Sequence, residues 1–218
     1  MSEPTEGSVS LSAEDLWSEH FEVAKSRQRA VEGQEEALWR AGGRATKANP
    51  NKEDGSWWNQ HGPKMVQNWI DFRSGQNGWK IWETPEGKPA IELALNIKLG
   101  GVSIKMALDR LMVTPDGELV VVDIKTGRST PSSDFQLGIY ACGIETVFGV
   151  RPQYGAYWSA REGSTTQLVD LSKWTLDRVG GIMAMFEKAR QEGIFLPNFD
   201  HCKMCNFTDK CKYNKGEE

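Results

Sequence analysis

The 218-residue chain has no run of about 18 apolar residues, so no membrane span is expected. Its opening, residues 1–12, is polar and carries no apolar signal segment. A disordered lead-in and a cytoplasmic location are the expectation there. Positive charge is not in excess: 26 Lys and Arg stand against 30 Asp and Glu, a net charge of −4. This excludes a generally basic nucleic-acid coat, so any DNA contact needs a local basic groove. Cysteine is scarce, with four residues and none before Cys142. Internal repeats and low-complexity blocks are absent as well. What remains, 39% hydrophobic and 26% charged, is ordinary for a soluble globular protein, and the length is ample for one domain with its own core.

The most informative stretch is Leu119-Val-Val-Val-Asp123-Ile-Lys125-Thr-Gly127. Four apolar, mostly β-branched residues predict a buried strand. Asp123 and Lys125, two apart, then point to the same face. A carboxylate and an ammonium at the end of a buried strand are costly unless they pair or bind something. Upstream, residues 101–113 form another strand-like run, and Thr114-Pro-Asp-Gly117 between the runs has the residues of a tight turn. The hairpin sets Asp109 opposite Val122 or Asp123. Two carboxylates would then share one patch of sheet with a lysine. Like charges that close repel, so a cation is the natural occupant. Carboxylate and carbonyl oxygens with open water positions suit Mg²⁺ or Mn²⁺.

Helices are expected on both sides of this hairpin. Residues 12–42 have an irregular apolar face, with Ser12 placed to cap and Glu14 and Asp15 in the first turn. Residues 49–55 form a polar loop. Pro63 fits the first turn of a second helix, with Gly62 and His61 before it. Of the nine Trp, five fall between Trp57 and Trp82. Most read as core, with Trp57 or Trp58 the candidates for stacking on bases. The sheet is expected to begin at Pro89, with residues 90–99 ending in the hairpin signal Gly100-Gly101. A helix over residues 133–148 places Gln136 and Tyr140 on one face. Residues 153–160 read as a strand with a short partner at 165–169. Ser172 is a candidate N-cap for a long helix that turns Trp174, Leu176, Ile182, Met183 and Phe186 inward and stops at Gly193. The tail, His201-Cys202-Lys-Met-Cys205 followed by Cys211, gathers three thiols within ten residues. That spacing points to metal rather than disulfides, and Lys203, Lys210 and Lys212 would help hold thiolates deprotonated.

The ordered set Ala107-Leu-Asp109-Arg110, Val121-Val-Asp123-Ile-Lys125-Thr-Gly127 and Gln136-x-x-x-Tyr140 resembles the RecB-type branch of the PD-(D/E)XK nucleases. The resemblance is strong over residues 92–140 and returns at the C-terminal cysteines. It implies an α/β, restriction-endonuclease-like core, a mixed central β-sheet flanked by helices, with a metal-binding cysteine tail. The layout is then a single nuclease domain over residues 13–200 (helices to 80, sheet 89–170, helix 172–192) and a tail at 201–218. It implies Mg²⁺- or Mn²⁺-dependent hydrolysis of DNA phosphodiesters. Asp109 and Asp123 would hold the ions, with the Ile124 carbonyl as a further ligand and His61 completing the shell. The family's histidine sits inside a helix as Gly-x-x-x-His, whereas His61 precedes Gly-Pro, and Glu92 is the alternative ligand. Lys125 would orient water or stabilise charge, Gln136 would support that geometry, and Tyr140 would lie near substrate. Relatives with a C-terminal cysteine trio hold a [4Fe–4S] cluster with a fourth cysteine before the nuclease core. Here Cys202, Cys205 and Cys211 lack that partner, so Cys142, His201 or His20 must complete the site, and three Cys with one His suit Zn²⁺ as well.

The function implied is a DNA exonuclease of a bacterium or phage-infected cell, acting on DNA ends as single strands. Its partners would belong to recombination, repair, a helicase or CRISPR adaptation. Three other classes stay open: an endonuclease of the same fold, a silent DNA-end-binding module, and a metal-cluster redox sensor.

Overall fold

A computed structural model describes residues 11–32, 53, 55–75, 77–195, 197–199, 202, 211 and 213. Contacts divide the chain into two compact units. The first comprises the described residues up to Ile97 together with Lys105–Thr175; the second comprises Lys98–Ile104 and the described residues from Leu176 onward. The division falls before the last helix, where the sequence suggests one domain as far as residue 200.

In the first unit, helix α1 (Ala13–Glu32) starts at Ser12, whose Oγ accepts the Asp15 N–H at 3.1 Å while Asp15 Oδ2 accepts the Ser12 N–H at 3.2 Å. The Ser12 cap is the one expected from the sequence, and the return bond to Asp15 makes it reciprocal. Helix α2 (Gly55–Ser74) begins eight residues earlier than Pro63 suggests, so Pro63 and His61 both lie inside it. An internal proline removes one backbone bond. The helix continues past it because Trp57 and Trp58 on one side and Met65 on the other pack into the same core cluster. Gly62 is needed for close packing: a Cβ there would fall 2.2 Å from the Trp17 ring of α1.

The described strands are β1 (Lys80–Ile81), β2 (Ile91–Leu99), β3 (Val102–Val113), β4 (Leu119–Lys125), β5 (Tyr154–Ser159), β6 (Ser164–Thr165) and β7 (Val169–Asp170). They form one mixed sheet in the order β1-β3-β4-β5-β6, with β2 also on β3 and β7 also on β5. The sheet therefore starts before Pro89, at a two-residue strand too short to carry a sequence signal. The partner expected at 165–169 resolves into two such strands. Strands β3 and β4 are antiparallel, joined by the expected turn, in which Gly117 adopts φ +88°. Strands β4 and β5 are parallel, and helix α3 (Phe135–Phe148) makes the crossover.

The alternation along β4 sorts the core. Val121 packs with Leu111, Leu137, Ala141 and Ile144 on the α3 face. Val120 and Val122 pack with Met65, Met112 and Trp158 on the α2 face. Burial on both faces is why β4 is an unbroken apolar run.

The second unit holds the tip of the β2–β3 hairpin and helix α4 (Leu176–Gln191). The helix starts at Leu176, so Ser172 does not cap it and Trp174 is not part of it; the Ser172 N–H instead donates to Asp170 Oδ1 at 2.7 Å. Val179 and Gly180 are its buried residues, and Phe186 is exposed rather than inward. Gly180 is explained by a close backbone approach, since a Cβ there would lie 2.9 Å from the Gly100 nitrogen. Among the described residues no helix is long and apolar enough to cross a membrane.

Candidate active site

The β3–β4 ladder ends where Arg110 pairs with Val122, which carries Asp109 opposite Asp123. Beyond that rung a side chain takes over from the ladder. Asp109 Oδ2 accepts the Ile124 N–H at 2.7 Å. Period-two alternation then puts Asp109, Asp123 and Lys125 on the face of Leu111 and Val121, which is the face covered by α3. There α3 supplies the remaining polar groups. Gln136 Oε1 lies 3.5 Å from Lys125 Nζ, and Gln136 Nε2 donates to the Tyr140 hydroxyl at 3.0 Å. The group sits at the carboxyl end of two parallel strands, the usual place for ligands in such sheets.

Asp123 is the most buried member, its side chain 4% exposed. Lys125 Nζ lies 2.5 Å from Oδ2, but out of line for a hydrogen bond, so that oxygen is buried with no donor aligned on it. Burial raises the Asp123 carboxyl above its ordinary value; the Lys125 ammonium only partly offsets this, and the Asp109 charge adds to the rise. Burial, with the two aspartates behind it, likewise raises the Tyr140 phenol, so it stays protonated. A buried carboxylate whose ionisation one lysine only partly offsets, beside a second carboxylate, fits a hard divalent cation: hard oxygen ligands meet a positive charge, and the repulsion between them is relieved.

His61 does not join this group. It lies on α2, whose Met65 packs on the opposite face of the sheet. Its Nδ1 is 2.8 Å from the Trp57 carbonyl, and its ring stacks on Trp57 at 4.1 Å. Among the described residues no three His, Cys, Asp or Glu side chains gather as a metal group. Glu92, an exposed residue with φ +48°, pairs with Arg110 at 3.3 Å.

Cys142 is fully buried on α3. Its thiol donates to the Trp174 carbonyl at 3.1 Å and accepts from Arg151 at 3.5 Å, and burial pushes its pKa up. That is the setting of a core thiol. Cys202 and Cys211 are half-buried; Cys205 and His201 lie outside the described residues. Trp57 and Trp58 sit in the cation and ring contacts of α2 and do not form an open platform: Arg161 lies over both rings, at 4.8 and 5.8 Å.

Two groups beside the site carry no sequence signal. Tyr157 faces Asp123 across the β4–β5 ladder, its hydroxyl donates to the Ser133 carbonyl at 2.7 Å, and Lys125 Nζ stands 5.6 Å over its ring. Burial, then the Asp123 and Asp134 charges, push its pKa up to about 12. Its role depends on register, which no local pattern discloses. Glu53 holds both Arg128 and Arg161, yet a lone Glu in a polar loop reads as solvated.

Comparison with known proteins agrees with this geometry. The Gene 69 protein of Mycobacterium phage D29 is 35% identical over 190 residues, 78% of this chain and 69% of that protein. The Gene 69 protein of Mycobacterium phage L5 is 34% identical over 176 residues, 69% of this chain and 60% of that protein. The match thus spans only part of these longer relatives. A solved structure from Eubacterium rectale superposes with a TM-score of 0.41 at 13% identity, over 97% of this chain and 78% of that one, too loose a likeness to carry an argument. The family model of the PD-(D/E)XK nuclease superfamily matches residues 12–212, and the chain belongs to that superfamily.

Proposed function

We propose that this chain is a divalent-metal-dependent deoxyribonuclease that degrades DNA from its ends. The observation that carries the reading is the buried Asp123 carboxylate, paired with Lys125 and set on one sheet face with Asp109, Gln136 and Tyr140. Asp109 and Asp123 would hold Mg²⁺ or Mn²⁺, with the Ile124 carbonyl as a further ligand. The bound cation supplies Lewis acidity and a lowered pKa for coordinated water. His61 has a place in that shell only if α2 moves when metal or DNA binds.

The chain's own groups account for the rest. Lys125, paired to Asp123, orients the attacking water and balances the charge that builds on the phosphate. Gln136 steadies Lys125 through Oε1. Tyr140 accepts from Gln136 and stays protonated, so its O–H is left to donate to a phosphate oxygen. In the net reaction water adds to phosphorus, the P–O bond to the leaving nucleotide breaks, and the departing oxygen takes up a proton.

The preference for ends rests on the sequence resemblance. Handling phage DNA ends for recombination or repair is consistent with the mycobacteriophage relatives. The tail trio Cys202, Cys205 and Cys211 would hold an iron–sulfur cluster, with zinc the alternative. Because the Cys142 thiol is engaged in the core, His201, adjacent to Cys202, is the better fourth ligand. Metal analysis and visible absorbance of protein purified without oxygen decide between iron and zinc.

The test of the whole reading is a time course on end-labelled linear and closed circular DNA, single- and double-stranded, with Mg²⁺, Mn²⁺ or EDTA. Metal-dependent loss of linear DNA alone is the expected result. Nicked circles would make it an endonuclease. Binding without any cleavage would make it a silent end-binding module.

A further inference from the structure

We infer that Glu53 is a positioning residue of the active site: its buried carboxylate holds Arg128 and Arg161, and through Arg161 fixes the backbone turn that carries Lys125. The inference rests on the nuclease reading above.

The Glu53 side chain is only 5% exposed and comes from the polar segment before α2. Arg128 Nε donates to its Oε1 at 2.6 Å. Arg161 Nη2 donates to Oε2 at 2.8 Å and Nη1 to Oε1 at 3.2 Å. Arg161 then reaches on to the motif, where its Nε donates to the Thr126 carbonyl at 2.8 Å. One residue earlier, the Ala160 N–H donates to the Lys125 carbonyl at 2.9 Å. The carbonyls of Lys125 and Thr126 are therefore both held by the exit of β5. That exit is itself fixed by α2, since Asn68 Nδ2 donates to the Ala160 carbonyl at 2.8 Å. Arg128, three residues past Lys125, is held by the same carboxylate, so Glu53 grips the turn from both sides.

Burial alone would raise the Glu53 carboxyl, but the two guanidiniums outweigh it and hold the group below its ordinary value, as an anion. Burying such charges is a poor route to stability, because apolar side chains of similar volume commonly do as well. What the charged arrangement provides is direction: the bonds fix two planar guanidiniums in place. A catalytic ammonium needs that. Displacing a reacting group by about 1 Å costs about a hundredfold in rate, and the Thr126 carbonyl is one residue from Lys125.

The experiment compares wild type, Glu53→Gln and Glu53→Asp on end-labelled linear DNA with Mn²⁺, measuring kcat and KM separately and the melting temperature of each. Glu53→Gln is expected to lower kcat by about a hundredfold while KM stays within about twofold. Glu53→Asp, which restores the charge, is expected to recover at least about tenfold of that loss. Hydrogen exchange of the Ala160 amide, which donates to the Lys125 carbonyl, should quicken in Glu53→Gln. If Glu53→Gln does not fold, Arg161→Lys carries the same test, since a lysine lacks the planar fork with which Arg161 makes two bonds to Glu53 and one to Thr126 at once. A folded Glu53→Gln with wild-type kcat would overturn the inference and leave the nuclease reading standing. Equal losses in the Gln and Asp variants that follow their melting temperatures would overturn it too, as a purely structural effect. A wild-type protein that cuts nothing would remove the nuclease reading, and this inference with it.

Discussion

Replacing Asp123 by Asn separates what this residue does for the fold from what it does for chemistry. The carboxylate is nearly fully buried, and one of its oxygens has no aligned donor. Burial makes the ionised carboxyl less favourable here than in water, the direction of its raised pKa, and Asn removes that charge. The Lys125 attraction lost in the variant is that of a part-exposed ammonium and is worth at most about 1 kcal/mol. Without metal, Asp123→Asn should therefore be more stable than wild type by about 1 kcal/mol, or about 2–4 °C for a chain of this size. The pH dependence has a definite sign. A carboxyl raised in the folded state binds more protons there than in the unfolded chain. Wild-type stability thus falls as pH climbs from the ordinary value of 3.8 through the folded-state pKa, and it does not recover above. The Asn variant lacks that loss. Metal reverses the order: at a cation concentration about a hundredfold above Kd, wild type gains about 2.7 kcal/mol, a rise of about 5–11 °C. Asp123→Asn should show almost none of it and should not cleave DNA. The assay is thermal melting of both proteins in EDTA and across a Mn²⁺ titration. A variant less stable than wild type in EDTA, or one that keeps the full Mn²⁺ shift, would refute this account of Asp123.

Lys125→Ala should lower kcat by about a hundred- to ten-thousand-fold, the range for loss of a positioned proton-handling group, while DNA binding by fluorescence anisotropy is kept. Gln136→Ala removes one bond to Lys125, worth about 1 kcal/mol, so kcat should fall roughly fivefold with KM unchanged in the cleavage assay. Gly138→Ala would set a Cβ 2.3 Å from the Trp174 ring and should cost about 1–3 kcal/mol by overpacking, read as a lower denaturation midpoint.

Much of the site was legible because it lies on regular structure. The apolar run at 119–122, the turn at 114–117 and the four-residue spacing of Gln136 and Tyr140 are local patterns, and local patterns fix face and order. They placed Asp109 across from Val122 or Asp123, and the ladder, which pairs Arg110 with Val122, selects Asp123. What failed were element edges and everything set by distant packing. Pro63 suggested a helix start, yet α2 runs through it because aromatic residues ahead of it have a core to enter. Ser172 looked like a cap, yet its N–H is taken by Asp170. Gly180 had no local reason, and the reason proved to be the backbone of Gly100, 80 positions away in the chain.

The same division explains why Asp109 and Asp123 could be read and Glu53 could not. A carboxylate at a strand end is announced by the strand, because the alternation that buries Val121 also aims Asp123. A carboxylate that positions other groups is announced only by its partners. Arg128 and Arg161 lie 75 and 108 positions from Glu53. Where β4 ends, its carbonyls must find other donors, and the exit of β5 provides them: Ala160 to Lys125 and Arg161 to Thr126. Regular structure thus delivers the reacting groups to a place where regular structure stops. The geometry beyond that point has to come from side chains, and here much of it comes from one buried anion. An active site at the end of a sheet therefore divides its parts into those a sequence pattern can show and those only the folded chain can.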